Sequence, residues 1–220
     1  RMRVEFLGTG TSTGVPMIGC RCDVCRSKDS RDRRLRSSVC LTVDDKNILI
    51  DCGPDFRQQM LRSGIDHIDA VLLTHEHYDH TSGLDELRNF SRNNPIPIYA
   101  EPNVLDIIHQ RLFYCFSKQP NPGVAHLELK AIENLSPFTL FGIDIEPVRV
   151  WHYRLPIIGY RIGRFAYITD MLTIPDGECA KLSNLDTLVV NALRHKPHIS
   201  HQNLESALTF IAQLNPEQAY

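Results

Sequence analysis

Nowhere in this chain of 220 residues does an uncharged apolar run reach the length needed to cross a bilayer, so no membrane partner is expected. The opening RMRVEFLGTG lacks the apolar core of a secretory leader, and the expectation is a soluble, cytoplasmic protein. An excess of one charge is also missing. Lys and Arg number 24 against 26 Asp and Glu, a net charge of -2. Such a balance gives no global field to recruit nucleic acid, so any anionic substrate has to be held locally. There is no internal repeat, low-complexity tract or obvious linker, which points to one domain over residues 1–220. Cysteine comes as an odd set of 7, and three crowd into GCRCDVC. That spacing suits a metal in a reducing compartment better than a disulfide framework.

What is present is a mixture of strand and helix patterns throughout, the mark of an α/β or α+β fold. RVEFL reads as an opening strand, and SVCLTV with NILID as a hairpin turning at residues 44–47. DFRQQMLRSG reads as a helix closed by Gly64. DAVLLT is a buried strand, GLDELRNFSR a helix, IPIYA a strand and NVLDIIHQRLF a helix. Residues 138–168 are strand-rich with a turn near Gly163, and DTLVVNAL is another apolar strand. In the last helix, NLESALTFIAQLN, the residues Leu204, Ala207, Leu208, Ile211 and Leu214 recur on one face.

The chemistry concentrates in LLTHEHYDHTSG, directly after an apolar strand. In an extended strand end His75 and His77 point to the same side, which makes half of a metal site. Asp79 and His80 follow in the loop and can face the same pocket from another direction. One ion cannot easily use all four, so the reading is a binuclear centre, with His75 and His77 on one metal and Asp79 and His80 on the other. Imidazole and carboxylate suit zinc, manganese or iron. A solvated His-rich loop would not need this density and alternation. The zincin pattern does not apply, because position 79 is Asp where a second His should stand.

THEHYDH resembles the H-x-H-x-D-H signature of the metallo-β-lactamase superfamily, whose fold is a four-layer αββα sandwich. The resemblance implies further stations. His152 in VRVWHY matches the next ligand and Asp170 in FAYITDM the aspartate bridging both ions, while Asp51 in ILIDCG matches an aspartate that acts through hydrogen bonds. The family's last ligand His follows a further strand. This chain ends at NPEQAY, which reads as the start of that strand, so the C-terminal strand and that His are expected beyond Tyr220.

GTGTSTGVPMIGCRCDVC resembles the entry of the phosphodiesterase branch that includes phosphoribosyl 1,2-cyclic phosphate phosphodiesterase, and less closely the tRNA 3′-processing endonuclease. Its glycines are not a dinucleotide fingerprint, since the third stands at Gly14 and no helix follows. The branch implies a structural zinc on Cys20, Cys22 and Cys25, with a C-terminal His as fourth ligand. Cys40, Cys52, Cys115 and Cys179 read as packed small residues. His201, leading into the last helix, matches a histidine placed to protonate the leaving oxygen or steady phosphoryl charge. His195 and His198 read as capping or solvated loop residues. Arg33, Arg34 and Arg36 suit either phosphate contacts or loop anchoring. FYCFSKQPNPGV could form a lid, although core packing of Phe113, Tyr114 and Phe116 is the stronger reading.

The resemblance and these stations imply a metal-dependent phosphodiesterase for a small phosphodiester, cyclic ribose phosphates among the candidates. The cofactors implied are two active-site divalent ions, Zn or Mn, plus one structural Zn, with His201 and Asp79 as catalytic residues. A homodimer is common in such a family. Thioester or lactam hydrolysis, tRNA end processing and a non-enzymatic metal-binding scaffold or sensor are the alternatives. The chain shows no strongly basic RNA-gripping insertion for the third.

Overall fold

The computed structural model describes all residues, Arg1–Tyr220. The chain divides into two compact units, Arg1–Ile132 and Glu133–Tyr220, with no composition change to mark the boundary.

The first unit carries β1 (Met2–Gly8), α1 (Asp23–Arg26), β2 (Ser38–Val43), β3 (Lys46–Ile50), α2 (Phe56–Ser63), β4 (Ala70–Leu72), α3 (Tyr78–Thr81), β5 (Ile96–Ala100), α4 (Pro102–Arg111) and β6 (Leu127–Ala131). Its six strands form one sheet in sequence order. β1, β2 and β3 run antiparallel, and β3 to β6 are mutually parallel. The central strands are apolar on both faces, as parallel strands covered on both sides require. Ile48, Leu49, Ile50, Ala70, Val71 and Leu72 are fully buried, each large side chain contributing about 1.5–3 kcal/mol. α2 ends as expected, with Gly64 in the left-handed region at φ 72° and its N–H on the Met60 carbonyl.

One local expectation fails here, and one strand goes unread in the sequence. GLDELRNFSR forms a 3₁₀ helix over Leu84–Asn89 instead of an α-helix, and only Leu84 and Leu87 bury. Side chains at i and i+3 eclipse in that geometry, so a spacing of three satisfies it as well as it satisfies an α-helix. β6 carries no clear pattern in the sequence. It is an edge strand whose exposed Glu128 and Lys130 pair at 2.7 Å, charge that blunts an open edge.

The second unit carries β7 (Phe138–Leu140), β8 (Ile143–His152), β9 (Leu155–Ile162), β10 (Phe165–Ile168), α5 (Asp176–Cys179), β11 (Thr187–Val190), α6 (Leu204–Leu214) and β12 (Gln218–Ala219). These six strands also form a sheet in sequence order. β7 to β10 are antiparallel, and β10, β11 and β12 are parallel. α6 is capped by Asn203, whose side chain accepts from the Ser206 N–H while the Ser206 hydroxyl accepts from the Asn203 N–H. Its apolar stripe is rotated from expectation. Ala207 and Phe210 are the buried residues and Ile211 and Leu214 pack beside them, whereas Leu208 is 55% exposed.

Candidate metal centre

In the first unit, β3 and β4 are parallel neighbours, so their C-terminal ends open on the same edge of the sheet, the place where α/β sheets put ligands. Asp51 follows β3 directly and adopts φ 62°, a conformation Asp tolerates better than most residues. Its carboxylate is fully buried. One oxygen accepts from the Thr74 N–H at 2.8 Å. The other accepts from the Thr74 hydroxyl at 2.8 Å and from His80 Nδ1 at 2.6 Å.

With its own proton committed to Asp51, Thr74 Oγ1 is the acceptor for His75 Nδ1 at 2.9 Å. One carboxylate therefore fixes two imidazoles, His80 directly and His75 through a hydroxyl, and leaves Nε2 of each as a lone pair. His75 Nε2 lies 3.1 Å from His77 Nδ1, and His80 Nε2 lies 3.1 Å from Asp79 Oδ2. Two ligand atoms held by one tetrahedral ion at about 2.0–2.1 Å stand about 3.3 Å apart. Both pairs match that separation, so the donor set fits divalent metal ions of the borderline kind. The structure brings His75 close to His77 and Asp79 close to His80.

Two loops carry this arrangement, and they touch backbone to backbone. Cys52 N–H donates to the His80 carbonyl at 2.8 Å, and Gly83 N–H to the Cys52 carbonyl at 2.9 Å. A Cβ on Gly53 would come within 2.1 Å of the Asp79 carbonyl, and one on Gly83 within 2.1 Å of the Gly53 carbonyl. Only glycine allows that approach. Arg111, at the end of α4, donates to the Glu76 carbonyl at 2.7 Å and to Thr81 Oγ1 at 3.1 Å. Thr74 and Arg111 hold the motif in place, yet neither bears a signature a sequence reader would single out.

In the second unit, His152 ends β8 and Asp170 follows β10 by two residues. Asp170 is again left-handed, at φ 55°. His152, Asp170 and His201 each offer a ligand atom, and these atoms lie within 4.8 Å of one another. His152 Nδ1 donates to the Ser200 carbonyl at 2.9 Å, which leaves Nε2 as its lone pair. Asn191 braces the turn beyond Asp170, accepting from the Met171 N–H and donating to the Met171 carbonyl, both at 3.0 Å. The His152 and His201 rings are 4.6 Å apart. His198 Nδ1 accepts from the Ser200 N–H at 3.1 Å, a capping role, and the His195 carbonyl accepts from the Asn203 side chain.

The cysteine loop is a separate group in the first unit. Sulfurs of Cys20, Cys22 and Cys25 lie within 4.8 Å of one another. A tetrahedral zinc with bonds of about 2.3 Å sets its sulfurs about 3.8 Å apart, so the triad fits three of four ligands. The Cys25 N–H and the Cys20 thiol, hydrogen-bonded to it, hold the Cys22 thiol below its ordinary range. Burial pushes Cys40 up to about 12 and Cys52 well above the ordinary thiol range. Those two are inert packing residues.

The basic run anchors loops. Arg36 forms an ion pair with Asp55 at 3.1 Å and donates to the Ser12 carbonyl at 3.1 Å, while Arg34 donates to Thr9 Oγ1 at 3.0 Å. The aromatics of FYCFSKQPNPGV do not enter the core as expected. Phe113 is 69% exposed, Tyr114 donates to Asp85 at 2.8 Å and Phe116 stacks on His109 at 4.9 Å. A 3₁₀ turn over Phe113–Cys115 buries none of its residues.

Two mixed sheets with ligand-bearing loops after their strands define the class, an α/β protein of the metallo-β-lactamase fold. The chain belongs to the beta-lactamase superfamily, whose domain matches residues 46–220, and within it to the PhnP family. A crystal structure of a diphosphatase from the PhnP family is 39% identical with a TM-score of 0.90, covering 100% of this chain and 88% of that one. Zinc-bound PqqB from Methylobacterium extorquens, 24% identical with a TM-score of 0.72 over 89% of this chain and 74% of that one, shares the fold. An octanoyltransferase of Porphyromonas gingivalis is 51% identical over 219 residues, 98% of this chain. The chain spans 44% of that relative, so its name describes a much longer protein. The metallo-β-lactamase fold implies divalent metal ions. No helix is long and apolar enough to cross a membrane.

Proposed function

We propose that the chain is a metal-dependent phosphodiesterase of small substrates, cyclic ribose phosphates among them, in which His75, His77, Asp79, His80, His152 and Asp170 hold two divalent ions. The observation that carries the reading is the pair of 3.1 Å ligand separations, His75 with His77 and Asp79 with His80, both oriented by buried Asp51. When bound, two such ions make a water acidic enough to ionise near neutral pH and offset negative charge on phosphoryl oxygens. The protein's own residues do the rest. Asp51 and Thr74 fix the tautomers of His75 and His80, so no ligand has to reorient when substrate enters. The Ser200 carbonyl does the same for His152. His201 donates a proton to the departing oxygen, which leaves as a neutral alcohol. Cys20, Cys22 and Cys25 serve a structural zinc that ties down the loop after β1.

A second reading is cleavage of a phosphoanhydride, favoured by the 39% identical diphosphatase. Both readings use the same ligands and differ in the leaving group, a phosphate in place of an alcohol. The deciding assay loads the protein separately with Mn²⁺ and Zn²⁺. It then measures hydrolysis of a ribose cyclic phosphate, an aryl phosphodiester, a nucleoside diphosphate, a thioester and a β-lactam. Turnover of the diesters supports the first reading and turnover of the diphosphate alone moves the assignment to the second. Thioester or lactam turnover alone, or silence on all five with metal bound, removes both.

A further inference from the structure

The second unit and the first share a habit of two-residue hairpin turns. Asp44–Asp45 joins β2 to β3, Phe141–Gly142 joins β7 to β8, Tyr153–Arg154 joins β8 to β9 and Gly163–Arg164 joins β9 to β10. Such turns need at least one residue at positive φ, a demand met by Gly, Asn or Asp. Three of the four turns supply Asp or Gly. In the Phe141–Gly142 turn Phe141 also takes positive φ, 51°, but the Tyr153–Arg154 turn has neither Gly nor Asp, and Tyr153 takes φ 56°. A bulky aromatic there carries a strain that persists when function retains it. This turn alone follows directly on a candidate ligand, His152, which pairs with Leu155 across the hairpin.

The strained ring is also presented outward. Tyr153 is 44% exposed, and the Arg154 guanidinium lies 5.1 Å from its ring centroid. A cation over one face holds the ring in place and supplies positive charge beside it. The exposed ring area is a platform for a second flat group, and it belongs to the residue directly after His152, whose own ring lies 4.6 Å from that of His201.

We propose that the Tyr153–Arg154 tip is a specificity device that stacks a nucleobase-like heteroaromatic group of the substrate while its phosphate engages the metal ligands. The assignment rests on the phosphate-hydrolase reading of the same site and narrows it to nucleotide-type phosphates. Flat groups stack on tyrosine through dispersion and offset π contact, whereas a simple sugar phosphate has no face to offer.

The test uses metal-loaded protein and two non-hydrolysable probes, the α,β-methylene analogue of ADP and methylenediphosphonate, which differ by the nucleoside. Trp151, the sole tryptophan, lies two residues from Tyr153 and reports binding by fluorescence, with calorimetry as a second readout. The nucleotide probe is expected to bind about ten-fold more tightly than methylenediphosphonate, equivalent to about 1.4 kcal/mol. Tyr153→Asn should erase that gap while leaving methylenediphosphonate binding unchanged, and Tyr153→Phe should keep it. Because Asn is at ease in the left-handed region, Tyr153→Asn should hold Tm or raise it by about 2 °C. Equal binding of the two probes by the unaltered protein overturns the inference alone. So does a gap that survives Tyr153→Asn, or a Tm that falls steeply in that variant, which would make the ring a structural part. If neither probe binds, the phosphate reading fails and this inference fails with it.

Discussion

Asp51 and Asp170 are built alike and employed differently. Each follows a strand of its sheet in the left-handed region, φ 62° and φ 55°. Asp51 is wholly buried and accepts three hydrogen bonds, from the Thr74 N–H, the Thr74 hydroxyl and His80. Asp170 is only partly buried, and its carboxylate lies among the ligand atoms of His152 and His201. The backbone device aims a carboxylate out of a strand end, and its surroundings decide the use. Enclosed by donors, a carboxylate becomes scaffolding. Left beside other lone pairs, it stands where a ligand atom would.

Making the same substitution at both aspartates is the sharpest way to break that contrast. Asp170→Asn keeps shape and tolerance of the left-handed conformation, so Tm of the metal-free protein should move by less than about 3 °C. Bound metal and turnover should fall together, turnover by more than about a thousandfold. Metal analysis beside a rate assay checks this, and full metal retention would undo the ligand assignment. Asp51→Asn should do the reverse. Its amide N–H₂ must face donors from Thr74 and His80, at a cost of about 3 kcal/mol in a denaturant titration. Metal affinity should follow, weaker by about 10–100-fold because the imidazoles lose their orientation. A stable Asp51→Asn protein would erase the distinction between the two residues.

Two smaller effects refine it. His201→Ala should retain metal and lose about a hundredfold in turnover, chemistry without stability. Unchanged turnover sinks the proton-donor role. Cys22→Ser should lower Tm by a few degrees, on the order of 1–2 kcal/mol, with one zinc lost and the rate per active-site metal kept, stability without chemistry. An unchanged zinc count would remove the structural site.

The sequence carries some of this plainly and hides the rest. Alternation places His75 and His77 on one side, and their ring nitrogens lie 3.1 Å apart. The helix stop at Gly64 and the hairpin of β2 and β3 are equally readable, because turn chemistry is local. The Asp51 to His80 bond spans 29 residues and has no local signature. β6 is obscured because an edge strand keeps only part of its face buried. The stripe on α6 misled for a related reason. Periodicity marks Leu208 and Leu204 as readily as Phe210, and only packing decides which of them is covered. Tyr153 lies beyond any pattern rule, since the rules for positive φ name other residues.

The hydrogen bonds that converge on Asp51 have a practical consequence for anyone loading this protein. A socket whose imidazoles are already aimed loses little conformational freedom when an ion arrives, so occupancy answers to supply and to ligand preference rather than to a folding step. The ion recovered with the purified protein is then a record of its growth medium and handling. Working specificity has to be read from controlled exchange, one metal at a time.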